Sequence, residues 1–86
     1  MAIYLVDELF VDTAVSYASL DDDAQIVLLQ DAVYAASKLT ALKKVHVVKD
    51  DVTRRGLNSK IPAGIGVISY DQLVQMMKKD KVINFL

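Results

Sequence analysis

The chain is 86 residues long, carries a net charge of −1, and contains no cysteine and a single histidine, His46. This length predicts one domain over residues 1–86, and the lack of cysteine excludes disulfides, thiolate nucleophiles and thiolate metal sites. One histidine cannot build a histidine-rich metal centre, no apolar run is long enough to cross a membrane, and the first residues lack the pattern of a signal peptide, so we expect a cytoplasmic protein.

Apolar periodicity predicts alternating strands and helices in the first half of the chain. Residues 3–6 and 26–29 are continuous apolar runs, which are typical of strands that are covered on both faces. Between these strands, apolar residues recur at helical spacing over residues 10–18, and three aspartates within residues 20–24 indicate a turn. A second helix is predicted over residues 32–39.

The middle of the chain predicts a third strand followed by a short helix. Residues 45–48 are rich in β-branched side chains, which favour a strand. The short helix over residues 50–55 carries arginines in its last turn, and Gly56 is placed for the left-handed position that ends many helices. Residues 57–64 are predicted to form a loop.

A fourth strand, over residues 66–69, leads into a helix with a recognisable start. Ser69 followed by Gln72 fits a capping box, in which each side chain accepts a hydrogen bond from the backbone of the other residue. The helix is predicted over residues 70–79, and residues 82–86 form either a last strand or an apolar tail.

Alternating strands and helices are typical of an α/β fold with a parallel sheet. We therefore expect a single-domain parallel sheet of four to five strands, with helices on both faces because the crossovers are right-handed. Ligands and partners of such sheets bind at the carboxyl ends of the strands. Six residues are expected at that edge: Asp7, Gln30, Asp31, Asp50, Asp51 and Tyr70.

The motif content indicates neither a catalytic centre nor a cofactor site. Carboxylates at strand ends are the ligands that Mg²⁺ prefers, but Asp31, Asp50 and Asp51 each stand where a helix is predicted to begin, and helix capping explains them without a metal. The three glycines form neither a phosphate loop nor a dinucleotide-binding pattern. We therefore predict no catalytic residue, no metal and no cofactor.

Charge and hydrophobicity are unevenly distributed and predict an oligomer. Residues 1–37 carry seven acidic residues and no Lys or Arg, whereas residues 38–86 carry ten Lys or Arg and four acidic residues. The hydrophobic fraction of 53% is slightly high for so small a domain. We expect an apolar face to be buried against another subunit, with the opposite charges of the two halves orienting the contact. Solvated faces of differing sign, or a contact with RNA phosphates, remain alternatives.

Three segments, in order, resemble one known family. Residues 28–36 read LLQDAVYAA, residues 47–57 read VVKDDVTRRGL, and residues 67–74 read VISYDQLV. Each resembles a segment of the TusB/DsrH family of DsrE/DsrF-like sulfur-relay subunits, and together they span nearly the whole chain. The segments supply seven family-motif residues, which are candidate interface residues: Gln30, Asp31, Tyr34, Asp51, Arg55, Gly56 and Tyr70.

The resemblance implies a DsrE/DsrF-like fold and a place in a sulfur relay. Members of the family assemble with paralogous DsrE/TusD-like and DsrF/TusC-like subunits into a hetero-hexamer, which passes persulfide sulfur toward 2-thiouridine at the tRNA wobble position. The acceptor cysteine belongs to the TusD-type subunit, and some DsrH members carry a cysteine where residues 13–16 here read TAVS. The resemblance therefore implies a non-catalytic subunit that meets tRNA only indirectly.

Two alternatives remain open at this point. A DsrH-like subunit would serve dissimilatory sulfur metabolism. A stand-alone homo-oligomer would instead bind a small ligand at the carboxyl edge of the sheet.

Overall fold

The computed structural model describes residues 2–20, 23–39 and 44–85. Five strands form one sheet, and every neighbouring pair is parallel. The strands are β1 (Ala2–Val6), β2 (Ala24–Leu28), β3 (Val45–Val48), β4 (Gly66–Ile68) and β5 (Lys81–Phe85). Their order across the sheet is β4-β3-β2-β1-β5, so β1 lies between β2 and β5 although it comes first in the chain.

The helical segments connect these strands. They are the 3₁₀ helix η1 (Glu8–Phe10), α1 (Val11–Ala18), the 3₁₀ helix η2 (Gln30–Lys38), α2 (Lys49–Arg54) and α3 (Tyr70–Lys79). None of the helices in the described part of the chain is long and apolar enough to span a membrane.

The predicted α/β fold with a parallel sheet is confirmed. The sequence placed β3 and α3 at their observed bounds, and the last segment is a strand rather than an apolar tail. β2 begins at Ala24, two residues earlier than predicted, within the predicted turn over residues 20–24. Two residues of that turn, Asp21 and Asp22, lie outside the described residues, as does Leu86.

The segment predicted as a second helix is η2, which begins earlier than expected and is a 3₁₀ helix over nine residues. Such long 3₁₀ runs are uncommon, and they place every third residue on the same side. Asp31, Tyr34 and Ser37 accordingly form an exposed row, while Val33 and Ala36 are buried. The apolar residues of this segment fit both kinds of helix, so the sequence pattern did not distinguish between them.

The sheet separates two apolar clusters, because successive residues of a strand point to opposite faces. On the first face, Tyr4 and Val6 pack with buried residues of α1 and η2, including Ala14 and Val33. On the second face, the alternate strand residues pack with Leu73 and Met76 of α3.

The strand order explains why α3 lies apart from the other helices. From β1 to β4 the chain steps in one direction across the sheet, and then it crosses back to place β5 beside β1. Since crossovers between parallel strands are right-handed, reversing direction moves the connecting helix to the opposite face.

Candidate functional site

The carboxyl edge of the sheet is organised around Asp51, a carboxylate with no exposed surface. Its Oδ2 atom accepts a hydrogen bond of 2.9 Å from the backbone N–H of Gln30 and one of 3.2 Å from the Tyr70 hydroxyl. Gln30 begins η2 and Tyr70 begins α3, while Asp51 itself lies in α2. One buried side chain therefore joins the three elements that follow β2, β3 and β4.

Two arginines supply the countercharge to Asp51. Its Oδ1 atom accepts no hydrogen bond but lies 3.6 Å from Nη1 of Arg55 and 3.9 Å from Nη1 of Arg54. Arg55 also donates from Nη1 to the Asp51 carbonyl at 3.2 Å and from Nε to Asp31 Oδ1 at 2.8 Å. The hydrogen bond with Asp31 raises the pKa of the Arg55 guanidinium, which stays charged. Arg55 thus connects α2 to η2.

Gln30 adopts a backbone conformation that is unusual for its residue type. Its φ angle is +50°, in the left-handed region that glycine prefers. A non-glycine residue in this region costs about 1–3 kcal/mol, and the charge-assisted hydrogen bond from its N–H to Asp51 offsets that cost. The buried carboxylate therefore fixes the turn through which β2 enters η2.

Tyr70 completes the arrangement from the other side of the edge. Burial and the nearby Asp51 charge raise the pKa of its phenol, so the hydroxyl stays protonated and remains a donor. Its position is set by the start of α3, where Ser69 and Gln72 form the predicted capping box, with hydrogen bonds of 3.1 Å and 2.8 Å. The capping-box prediction is thus confirmed.

The prediction that three aspartates cap helices is wrong. The residue before α2 is Val48 and the residue before η2 is Leu29, and neither makes a side-chain cap. Because α2 begins directly after β3, Asp50 and Asp51 lie within its first turn. At that point Asp51 faces the protein interior, where its side chain accepts hydrogen bonds from other elements rather than from the backbone of its own helix.

Gly56 ends α2 as the sequence predicted. Its φ angle is +64°. The N–H of Gly56 donates to the Thr53 carbonyl at 3.1 Å, and the N–H of Leu57 donates to the Val52 carbonyl at 3.0 Å. This pair of hydrogen bonds is a Schellman motif, which satisfies carbonyls at the helix end and leaves Arg55 at the last position before the turn.

The structure brings together five of the seven candidate residues: Gln30, Asp31, Asp51, Arg55 and Tyr70. Gly56 has no side chain to join this cluster, and its role is to end α2 through its backbone. Tyr34 lies further along η2, about half exposed, between one groove of about 380 Å³ beside Leu57 and another of about 270 Å³ beside Leu9. The candidate set is therefore a cluster of internal contacts with an exposed tyrosine beside it.

The contacts of this cluster hold three elements in fixed positions. Asp51 and Arg55 are engaged with each other and with their neighbours. Within residues 2–20, 23–39 and 44–85, no three acidic or histidine side chains converge as metal ligands would. The arrangement fixes the relative positions of η2, α2 and α3, whose exposed residues then form a defined surface.

One polar contact on the second face of the sheet was not anticipated. His46 Nε2 lies 3.0 Å from Gln25 Oε1, and a side chain at Gly66 would place its Cβ 2.6 Å from His46 Nδ1. Burial lowers the pKa of His46. Only the pairing of β2, β3 and β4 brings these residues together, so the sequence offered no local signal for the contact.

The fold places the protein among α/β domains with an all-parallel five-stranded sheet. Its structure is similar to the crystal structure of the YchN protein from E. coli, with a TM-score of 0.73 and 20% sequence identity over 98% of this chain and 97% of that one. A search of curated proteins found no match.

The family model described as DsrH like protein matches residues 10–82. The chain belongs to the DsrH-like family, as the sequence segments suggested, and this membership supports a role as a subunit in sulfur relay. The matched region contains all seven candidate residues.

Proposed function

We propose that this protein is a non-catalytic subunit of a cytoplasmic sulfur-relay complex that supports persulfide transfer toward 2-thiolation of the tRNA wobble uridine. The observation that carries the proposal is the DsrH-like family match over residues 10–82 of a chain without cysteine. A chain without a thiol cannot hold a persulfide. Its contribution is to position a cysteine that belongs to another subunit.

The side chains that meet at the carboxyl edge of the sheet (Gln30, Asp31, Asp51, Arg55 and Tyr70), which we call the edge cluster, supply a physical means of positioning. Asp51 holds the starts of η2 and α3 against α2 through hydrogen bonds that lie inside the protein. Tyr34 projects from η2 beside this fixed arrangement, with 56% of its surface exposed. An aromatic side chain on a rigid support is well suited to anchor a partner, because little conformational freedom is lost when it binds.

The proposed partners are paralogous DsrE/TusD-like and DsrF/TusC-like subunits, with further copies of this chain as the alternative. In this arrangement tRNA contacts the cysteine-bearing subunit, and this chain meets tRNA only indirectly.

Co-purification and sulfur transfer test the proposal. The tagged chain is expressed in its native host, proteins retained with it are identified, and transfer of labelled sulfur from a cysteine desulfurase to the retained cysteine-bearing subunit is measured with and without this chain. We expect DsrE-like and DsrF-like subunits to be retained and the chain to accelerate transfer. Retention of neither subunit, or transfer at the same rate without the chain, would contradict the proposal.

Two tyrosine variants sharpen this experiment. Tyr34→Ala removes the exposed side chain beside the edge cluster, whereas Tyr17→Ala removes a side chain of similar exposure on α1. We expect only Tyr34→Ala to weaken retention of the partner subunits. If both variants weakened retention of the partner subunits equally, Tyr34 would not be the anchoring residue.

A second candidate function is favoured by the groove of about 380 Å³, which lies within the size range of small-molecule sites. Its walls include Val33, Leu57 and Ile61, with Lys60 at one side. A stand-alone homo-oligomer that binds a small anionic ligand would use this groove. Protection of the Lys60 amine from acylation by such a ligand, in a protein that retains no partner, would favour this candidate over the relay subunit.

A further inference from the structure

The groove of about 270 Å³ beside Tyr34 combines apolar walls with acidic side chains. We call it the acidic groove and define it by Glu8, Leu9, Asp12, Asp31 and Tyr34. It lies on the outer surface of the first face, between η1, α1 and η2. Leu9, in its wall, is 86% exposed and lies beside the partly exposed Tyr34.

The acidic groove carries two carboxylates without a countercharge. Asp31 is paired with Arg55. Glu8 and Asp12 are exposed, and neither takes part in an ion pair within the described part of the chain. Apolar walls next to free carboxylates suit a lysine side chain, because its methylene stem packs on apolar surface while its ammonium group remains near the charges.

A surface of matching chemistry lies on α3. Val74, Met77 and Lys78 are exposed neighbours on that helix, followed by exposed Lys79. We call these four residues the basic face. Among the described residues, neither lysine forms an ion pair. Two large apolar side chains therefore stand directly beside the uncompensated positive charge of Lys78, and a second lysine follows at the next position of the helix.

The two surfaces cannot meet within one molecule. The acidic groove belongs to elements packed on the first face of the sheet, whereas α3 packs on the second face. From this geometry we infer that the basic face of one copy docks into the acidic groove of a second copy. The contact joins different surfaces of the two copies, so it is a head-to-tail contact. Such a contact repeats from copy to copy and gives either a closed ring or an open filament.

Apart from Tyr34, which the proposed relay function also uses, the contact accounts for features that this function leaves unused. It covers Leu9, Val74 and Met77, which are apolar and exposed in the single chain. It also pairs the acidic first part of the sequence with the basic last part, which gives the uneven charge distribution a role. The inference does not depend on the relay function, because self-association of the purified chain tests it, whereas co-purification and sulfur transfer test the relay function.

Charge exchange between variants tests the orientation of the contact. The groove variant carries Glu8→Lys and Asp12→Lys, and the helix variant carries Lys78→Glu and Lys79→Glu. Each variant alone places like charges together, so its self-association should weaken by about tenfold relative to the unmodified chain, corresponding to about 1.4 kcal/mol. An equimolar mixture should associate again, because each surface then meets one of opposite charge on the other variant.

Sedimentation equilibrium over micromolar to millimolar concentrations measures the association. The matched control carries Lys49→Glu and Asp50→Lys, which change two exposed charges outside both surfaces and outside both grooves, and should associate like the unmodified chain. Far-ultraviolet circular dichroism establishes that each variant is folded. The inference is overturned if the unmodified chain is monomeric throughout, if the variants associate normally alone, or if the mixture fails to associate.

Discussion

The sequence analysis singled out Asp51 but predicted the wrong role for it. An aspartate at a predicted helix start is most simply a cap, and capping is a contact within one helix. In the structure the same carboxylate is buried and binds the backbone of Gln30 and the hydroxyl of Tyr70. The partners are 21 and 19 residues away in the sequence, and periodicity carries no information about such distant pairs.

Replacing Asp51 should therefore cost far more than replacing its neighbour. Asp51→Asn removes the charge that balances two arginines and weakens the two hydrogen bonds that the buried carboxylate accepts, so we expect the free energy of unfolding to fall by about 2 kcal/mol. Asp50→Asn, the matched control, changes an exposed side chain and should cost less than about 0.5 kcal/mol. Urea denaturation of the two variants measures the difference, and equal losses would show that Asp51 is not the organising residue.

His46 makes a pH-dependent contribution that can be isolated, because it is the only histidine of the chain. Burial lowers its pKa from the ordinary value of 6.5. As the pH falls below 6.5, the unfolded chain takes up this proton first, so the free energy of unfolding decreases until the pH is also below the pKa of the folded state, and below that pH this contribution stays lost. We expect the free energy of unfolding to decrease across this window and the decrease to be smaller in His46→Gln.

Urea denaturation between pH 7.5 and pH 5 provides the comparison. The slope that remains in His46→Gln reports the carboxylates, and the difference between the two proteins reports His46. Identical slopes in both proteins would mean that His46 titrates normally and is not desolvated beside Gly66.

At the scale of elements, the strands were the easiest part to predict. Buried parallel strands are continuous apolar runs, and residues 45–48 gave the observed bounds of β3. The start of α3 was equally clear, because a capping box involves residues only three positions apart. The type of η2 could not be predicted, since it depends on how Val33 and Ala36 pack on the sheet.

The end of α2 provides a test at this scale. Gly56→Val should lower the free energy of unfolding by about 1 kcal/mol or more, because its φ angle of +64° disfavours a side chain even though an added Cβ meets no atom within 4 Å. Gly64→Val is the matched control, since Gly64 has equal space and no such φ angle. Thermal unfolding of both variants measures the effect, and an unchanged melting temperature for Gly56→Val would exclude the strain.

The contacts among the candidate residues could not be predicted from the sequence. The sequence segments supplied Gln30, Asp51 and Tyr70, and the parallel sheet placed them at one edge. Which of them touch follows from side-chain packing across three elements. The acidic groove was not foreseen, because it depends on the way in which η1 and η2 pack side by side.

At the scale of the whole molecule, α3 is the one helix of the described residues that packs on the second face of the sheet. α3 has ten residues and is about 15 Å long, whereas five strands extend about 19 Å from the first axis to the last. The second face consequently includes polar residues, among them Gln25, His46 and Asn84, on β2, β3 and β5. α3 packs on this face of the sheet through Leu73 and Met76, and the basic face, on the rest of the helix surface, is exposed.

The absence of cysteine gives a prediction for the chain as a whole. Incubation with a cysteine desulfurase and cysteine should leave the intact mass of this protein unchanged, because no side chain can hold a persulfide. Mass spectrometry of the intact protein without reductant measures this directly. A cysteine-bearing DsrE-like subunit in the same reaction is the positive control, and a stable gain of one sulfur atom on this chain would contradict the prediction.

The position of β1 beside β5 has a consequence for biosynthesis. β1 is translated before the other four strands, yet its pairing with β5, which begins with Ala2 opposite Lys81, forms only after the last of the five has emerged. Throughout translation the nascent chain therefore exposes one unpaired edge of its most apolar strand, and such edges are sites where other chains add. A chain released from a ribosome that stalls after α3 would lack β5, so β1 would be an edge strand of its sheet. Molecular chaperones would have to shield that intermediate.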